Sequence, residues 1–371
     1  MVKLGLTGGG RCNISNTFES VTDLRQVYPR GASLMKRLLK EFGLTETRKA
    51  FAAMGIEFEE EDSGRLFPAC RDASQVVRAL LSCARRSGVE LRCADAVVAV
   101  QESATRFTVR TASGTEELFD AVVVASGGCS SRVGLSFLEP LDIALVEPVP
   151  SLFTLRIKDS SLNSLTGISV PEAVVTIPGT SLRATGALLI TDWGLSGPCV
   201  LRLSSYAARE LHAASYRTPL MINWISFNEQ EARPAIAACA AREPQKMIAN
   251  CCPFALPSRL WEHLLSRAGL RSDMRWAELG SKGLSKLVSV LVSDVYEVLG
   301  KGAFKEEFVT CGGVSLSEVD SKTLGSRSHP GLYFAGEALD IDAVTGGFNL
   351  QAAWTTGAIC ARSIALSFSG E

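Results

Sequence analysis

Residues 331–357 read GLYFAGEALDIDAVTGGFNLQAAWTTG, and the fold turns on them. GLYFAGE is an apolar strand that opens onto Gly336 and Glu337. The following TGGFNLQAAWTTGAICARSIAL has the pattern of a helix of small residues with Gly346 and Gly347 at its start. A helix amino terminus preceded by glycines carries unpaired N–H groups and partial positive charge, so it suits a phosphate or a developing anion. Ala352, Ala353, Gly357 and Ala358 allow such a helix to pack closely on a sheet. The competing reading is a tightly packed terminal helix whose glycines are only caps.

Upstream, FDAVVVASGG at 119–128 resembles a central parallel-sheet strand, buried on both faces and emptying into small residues at a ligand crevice. A strand followed by a tight turn is the alternative. Before it, 97–111 and 115–125 read as a β-meander. DASQVVRALLSCARRSGVELRCADAVVAV at 72–100 reads as a helix capped by Asp72 or Ser74, stopped by Gly88, and feeding a short buried strand. Residues 32–44 and 45–70 add two helices, a break at Gly55, and a short strand running into a turn. The chain opens TGGGRCNISN at 7–16, three consecutive glycines that let backbone pass close to a ligand.

From Pro148 to about Phe227 the texture becomes short β-like pieces broken by Gly and Pro, as in an antiparallel sheet or small barrel. Within it a strand ends at Thr191 and a helix begins near Ser196, with Pro198 in its first turn. From Glu229 to about Leu299 the pattern is mostly helical, ending in GLSKLVSVLVSDVYEVLG. The predicted domains are 1–147, 148–227, 228–303 and 304–371.

Lys+Arg 38 against Asp+Glu 39 leaves no basic footprint for nucleic acid. The 11 cysteines include no CxxC pair, and with 3 histidines they offer no metal-ligand spacing, so they read as reduced thiols in a cytoplasmic protein. No apolar run reaches the ~20 residues a membrane span requires. Composition thus points to a soluble, intracellular protein, with oligomeric state open.

The tail 331–357 resembles the FAD-binding signature of a bacterial two-dinucleotide-fold flavoprotein family, the BaiN-type or aminoacetone-oxidase-like NAD(P)/FAD-dependent oxidoreductases. TGGGRCNISN is similar to that family's GGGRCN loop, SGRLFPACRDASQVVRAL to its G-R-x-F-P segment, and GALLITDWGLSGPCVLRLSS to its G-L-S-G-P turn. The resemblance spans nearly the whole chain. It implies an α/β fold: a Rossmann-like FAD domain built from both ends of the sequence, interrupted by a β-rich, barrel-like domain and a small helical one. It implies FAD as cofactor, with NAD(P)H as a possible electron donor.

On this resemblance Gly8, Gly9 and Gly10 approach the flavin, while Arg11, Cys12 and Asn13 contact it or lock the loop. Val97 meets the adenine through its backbone, and Ala125, Ser126 and Gly127 line the crevice. Gly336 and Glu337 lie near pyrophosphate and ribitol. Gly347, Phe348, Asn349 and Leu350 face the pyrimidine edge. Cys12 reads as a small residue in a tight loop rather than a nucleophile, and His329 as a surface turn residue. Asp340 and Asp342 read as fixing their loop, while Arg65 either binds an anionic group or pairs structurally.

The family's opening strand, G-x-G-x-x-G turn and helix have no counterpart in the sequence, and 129–148 replaces its longer glycine-rich loop. The implied FAD domain is therefore amino-terminally incomplete, with FDAVVVA and GLYFAGE losing the neighbour between them and apolar surface left bare. The implied function is an FAD-dependent oxidoreductase in truncated form. The alternative is a non-catalytic remnant that has lost FAD binding.

Overall fold

The computed structural model describes residues 2–129, 131–302 and 309–369. They divide into two compact units, Met1–Pro150 with Val309–Glu371, and Ser151–Phe308. The boundary expected at 303/304 lies outside the described residues.

In the first unit both ends of the chain contribute. A short helix Val2–Leu6 runs into a tight turn at Thr7–Gly10. A three-stranded antiparallel sheet follows, in the order Ser15–Asn16, Arg65–Pro68, Phe58–Glu61. Helix Ala73–Arg86 starts where Asp72 accepts the Ser74 N–H at 2.8 Å and ends before Gly88, whose φ of 76° needs a residue without Cβ. Its apolar side, Ala73 and Val76, packs with Cys12, Ile14, Phe51 and Ile56 into one buried cluster beside Trp354.

Three expectations change here. No strand forms at 89–96; the next one, Val97–Ser103, is antiparallel to Arg106–Thr111 and mostly exposed. Val122–Val124 and Leu332–Phe334 are direct parallel neighbours, Val122 opposite Leu332 and Val124 opposite Phe334, not strands flanking a third. The pairing extends as Val122 N–H donates to Gly331 O and Ala335 N–H to Val124 O, each at 2.9 Å. Val124 is buried but Val123 is 40% exposed, so FDAVVVA is covered on one face only. Bare apolar surface, as anticipated, includes Val123 and Val133.

The second unit is a closed barrel of six strands, in the order Ser169–Thr176, Arg183–Thr191, Gly194–Ser196, Leu155–Ile157, Asp294–Lys301, Thr218–Asn223. Alternation fills its interior: Val170, Ala173 and Val175 face Leu188, Ile190, Leu220, Ile222 and Val298 in a single core. Closure bends the strands at irregularities between Val170 and Ala173 and between Val298 and Gly300. Helix Pro198–Tyr206 begins near Ser196 as expected, with its proline in the first turn, after a short strand Gly194–Ser196 that the sequence reading did not separate. Helices Glu229–Arg242, Ser258–Arg267 and Gly280–Ser293 complete the unit. The helical reading of 283–300 is corrected at Ser293: Asp294–Lys301 is a barrel strand, pairing with Thr218–Asn223 on one side and Leu155–Ile157 on the other.

Candidate functional site

The GGGRCN turn is built from three successive residues of positive φ, Gly8, Gly9 and Gly10 at 60°, 69° and 83°, and a fourth, Cys12 at 63°, after the right-handed Arg11. The Cys12 N–H closes the turn on Thr7 O at 2.9 Å. A Cβ on Gly8 would stand 3.0 Å from both Asn13 N and the Phe67 ring, so packing demands that glycine. Gly9 and Gly10 differ. They are exposed, and a Cβ on either would have no heavy atom within 4 Å.

Arg11 does not reach outward. Its guanidinium lies over the Phe67 ring, 4.4 Å from the centroid, and pairs with Glu61 at 2.7 Å. Cys12 is fully buried, and burial pushes its thiol up to about 11 against the opposing hydrogen bond from Thr7, so it is protonated and inert at neutral pH. Arg65 takes its structural option, 3.7 Å from Glu61.

The amino end of the terminal helix Phe348–Phe368 is clamped onto this turn. Gly347 has φ 91°, and a Cβ there would overlap the Ser15 carbonyl oxygen and lie 2.5 Å from its carbon. Asn13, with its amide turned so that donors meet acceptors, accepts the Gly347 N–H at 3.0 Å and donates to Ser15 O at 3.0 Å and Leu66 O at 3.2 Å. Asn16 donates to Gly346 O at 3.0 Å, Ser15 Oγ to Gln351 Oε1 at 2.5 Å, and Trp354 Nε1 to Ile14 O at 3.0 Å. Asn349 holds the preceding loop through both Ala343 backbone groups at 2.8 Å. Phe348 is buried against Phe18 and Tyr28, and its carbonyl accepts from the Tyr28 hydroxyl at 2.8 Å. Asp342 is buried with Arg30 as its ion-pair partner.

A second junction gathers the two strand ends. Glu337 accepts the Thr310 N–H at 2.7 Å and the Gly128 N–H at 3.1 Å, one on each carboxylate oxygen, and lies 3.3 Å from Lys3 Nζ. A Cβ on Gly128 would come within 2.6 Å of Glu337 Cδ. Gly336 has φ 64° and donates its N–H to Thr356 Oγ1 at 2.8 Å. Ala125 and Ser126 are exposed on the same loop, and a Cβ on Gly127 would meet nothing within 4 Å. Lys3, on the helix that leads into the glycine turn, links the two junctions.

The other readings are scattered. Val97 is 42% exposed on an antiparallel strand, opposite Thr111. Leu350 is half-buried beside the Cys12 cluster. His329 is more engaged than a surface turn: Nδ1 lies 2.7 Å from Glu102 and Nε2 2.9 Å from Leu141 O. Residues missed by the sequence reading, Ser15, Asn16, Thr310, Gln351 and Trp354, supply much of the frame. Gln351, polar in an otherwise small-residue helix, was the available signal. Among the described residues no group of three His, Cys, Asp or Glu is placed to hold a metal ion, and no helix is long and apolar enough to cross a membrane.

Known proteins resemble this chain over nearly its full length. It is 28% identical to a 3-dehydro-bile acid delta(4,6)-reductase of Clostridium scindens over 380 residues, covering 98% of this chain and 90% of that one. It is 30% identical to a ribosomal RNA dihydrouridine synthase of Haemophilus influenzae over 375 residues, 98% and 89% of the two chains, and 28% identical to the Escherichia coli protein of that name. Among solved structures, an E. coli quinol fumarate reductase FrdA variant overlays at TM-score 0.41 and 11% identity, with 92% of this chain spanning 58% of that one. Residues 1–363 match the family described as HI0933-like protein Rossmann domain. The chain belongs to the HI0933-like protein Rossmann domain family.

Proposed function

We propose that this protein is an FAD-dependent reductase that saturates a carbon–carbon double bond conjugated with a carbonyl in a small organic molecule, with NAD(P)H as electron donor. The observation that carries the reading is the agreement between relatives of different substrate. One is named for reducing delta(4,6) unsaturation in a 3-dehydro bile acid, the other for converting uridine to dihydrouridine. Both names describe hydrogen added across an activated alkene.

The residues present fit a flavin. Gly9, Gly10 and Gly127 combine left-handed backbone with empty space where a Cβ would stand, which leaves bare main chain for a flat ring or a phosphate to approach. Bound flavin supplies the hydride chemistry. On this reading Gly8, Arg11 and Asn13 hold the turn, Glu337 ties the end of the Ala125–Gly128 loop at Gly128, and Val97 would back the adenine. The first-turn N–H groups at Phe348, Asn349 and Leu350 would offer partial positive charge to a bound flavin ring. Cys12 stays a packing residue. The reaction takes place in the cytoplasm, where thiols stay reduced until an oxidant reaches them.

A second reading, with uridine in RNA as the acceptor, is favoured by the two relatives named for that reaction; the near-neutral charge of 38 basic against 39 acidic residues favours the small molecule. One experiment separates them. Purified protein is expected to be yellow with stoichiometric flavin, bleached anaerobically by NAD(P)H, and reoxidised by a conjugated enone. Dihydrouridine formed in RNA without enone turnover selects the second reading. A colourless protein that takes up no FAD on reconstitution refutes both and leaves the non-catalytic remnant.

A further inference from the structure

Cys239 and Cys251 lie in the barrel-bearing unit, and no role is assigned to them by the proposed chemistry. Cys239 is on the helix Glu229–Arg242 and is 2% exposed. Cys251 follows the single turn Ile248–Asn250 and is half-buried. Their sulfurs stand 3.5 Å apart, and the Cys239 thiol also approaches the Cys251 carbonyl at 3.8 Å. The segment carrying Cys251 is fixed from outside the pair: Ile248 N–H donates to Met274 O at 2.9 Å and Trp261 Nε1 to Ile248 O at 2.8 Å. The two sulfurs therefore meet because the surrounding helices hold their backbones together.

We propose that Cys239 and Cys251 form a redox modification site, closed to an intrachain disulfide by a peroxide or by a low-molecular-weight disulfide. A disulfide bond measures about 2.05 Å, so the sulfurs must approach by only about 1.5 Å, within reach of side-chain rotation at the half-buried partner. Burial, with the neighbouring Cys251 sulfur, pushes the Cys239 thiol up to about 11, so the more accessible Cys251 reacts first.

With peroxide, the Cys251 thiolate attacks one oxygen, the O–O bond breaks, and a sulfenic acid forms as the second oxygen leaves as water or alcohol. Cys239 then attacks the Cys251 sulfur, the S–O bond breaks and water departs, giving one disulfide for two electrons. With a disulfide oxidant, Cys251 displaces one thiol and Cys239 the second. The product ties the 248–251 turn to the helix before it. Cys252, next in sequence, has no such sulfur contact described, and burial pushes its thiol up to about 11.

Reduced full-length protein is incubated separately with hydrogen peroxide and with glutathione disulfide, alkylated and digested with trypsin. Cleavage after Arg242 and Lys246 puts Cys239 and Cys251 on different peptides. The expected result is a joined pair of peptides two hydrogens lighter than their sum, abolished in Cys251→Ser and retained in Cys252→Ser. Complete alkylation of Cys239 and Cys251 after exposed Cys70 and Cys93 have oxidised overturns the proposal. So does a bridge that persists in Cys251→Ser.

Discussion

Gly347→Ala is the most discriminating single change, because two separate costs meet at one atom. The residue sits at φ 91°, and an L-residue in left-handed backbone costs roughly 1–2 kcal/mol. The new Cβ would also press on the Ser15 carbonyl, 2.5 Å from its carbon, and this is backbone that cannot swing aside. Forcing an extra carbon into packed structure adds about 1–3 kcal/mol, for a total of about 2–5 kcal/mol. In a domain of 150–250 residues this corresponds to a drop in melting temperature of roughly 4–20 °C. Gly9→Ala is the matched control, since its φ of 69° carries the backbone cost while its Cβ meets nothing within 4 Å. It should lose only about 1–2 kcal/mol. Thermal and denaturant unfolding of both variants measure the difference. Equal destabilisation would show that the close approach of Gly347 to Ser15 contributes nothing, and the clamp argument fails.

Asp342→Asn leaves the Arg30 guanidinium without its buried carboxylate partner, and urea unfolding should register a loss of about 3–5 kcal/mol; a loss below 1 kcal/mol contradicts the burial of that pair. Asp72→Ala removes the cap on Ser74 N–H and should cost about 1 kcal/mol, read as a lower denaturant midpoint. Burial first, and then the Arg267 charge, hold His263 below its ordinary value of 6.5, with Asp159 and Asp294 pulling the other way. The unfolded chain therefore binds the proton first as pH falls, so the stability from neutral His263 is complete above about 6.5 and is lost through its folded value. Denaturant midpoints should drop more steeply on acidification in the parent protein than in His263→Gln, and parallel profiles would refute this account.

Local chemistry made part of the architecture legible. Asp72 before an apolar stripe announced a helix, and the paired glycines before Phe348 announced the start of the long terminal one. The barrel-like texture after Pro148 reflected short strands separated by Gly and Pro. Asp294–Lys301 escaped because no Gly or Pro separates the helix from the strand at Ser293 and Asp294, and only pairing with residues some 70 and 140 positions earlier decides it. The adjacency of Val122–Val124 and Leu332–Phe334 is likewise a long-range fact that neither strand encodes alone. At the site, the glycines were visible as types. Their division into crowded ones, Gly8, Gly128 and Gly347, and open ones, Gly9, Gly10 and Gly127, depends on neighbours distant in sequence. Arg11, open between contacting a cofactor and locking the loop, donates to Gly8 O at 3.3 Å and pairs with Glu61, and Glu337, expected near pyrophosphate and ribitol, is held by Thr310 and Gly128.

The bonds from Asn13, Ser15, Asn16 and Ile14 to residues 346–354 have a consequence during synthesis. At roughly 5–20 residues per second, the ribosome takes on the order of 15–70 s to pass from residues 13–16 to their partners at 346–354. Before that interval ends the barrel strands and their helices have been made and are free to fold. The glycine turn waits through the making of the whole second unit, and its final shape is set by a helix that lies beyond that unit in the sequence.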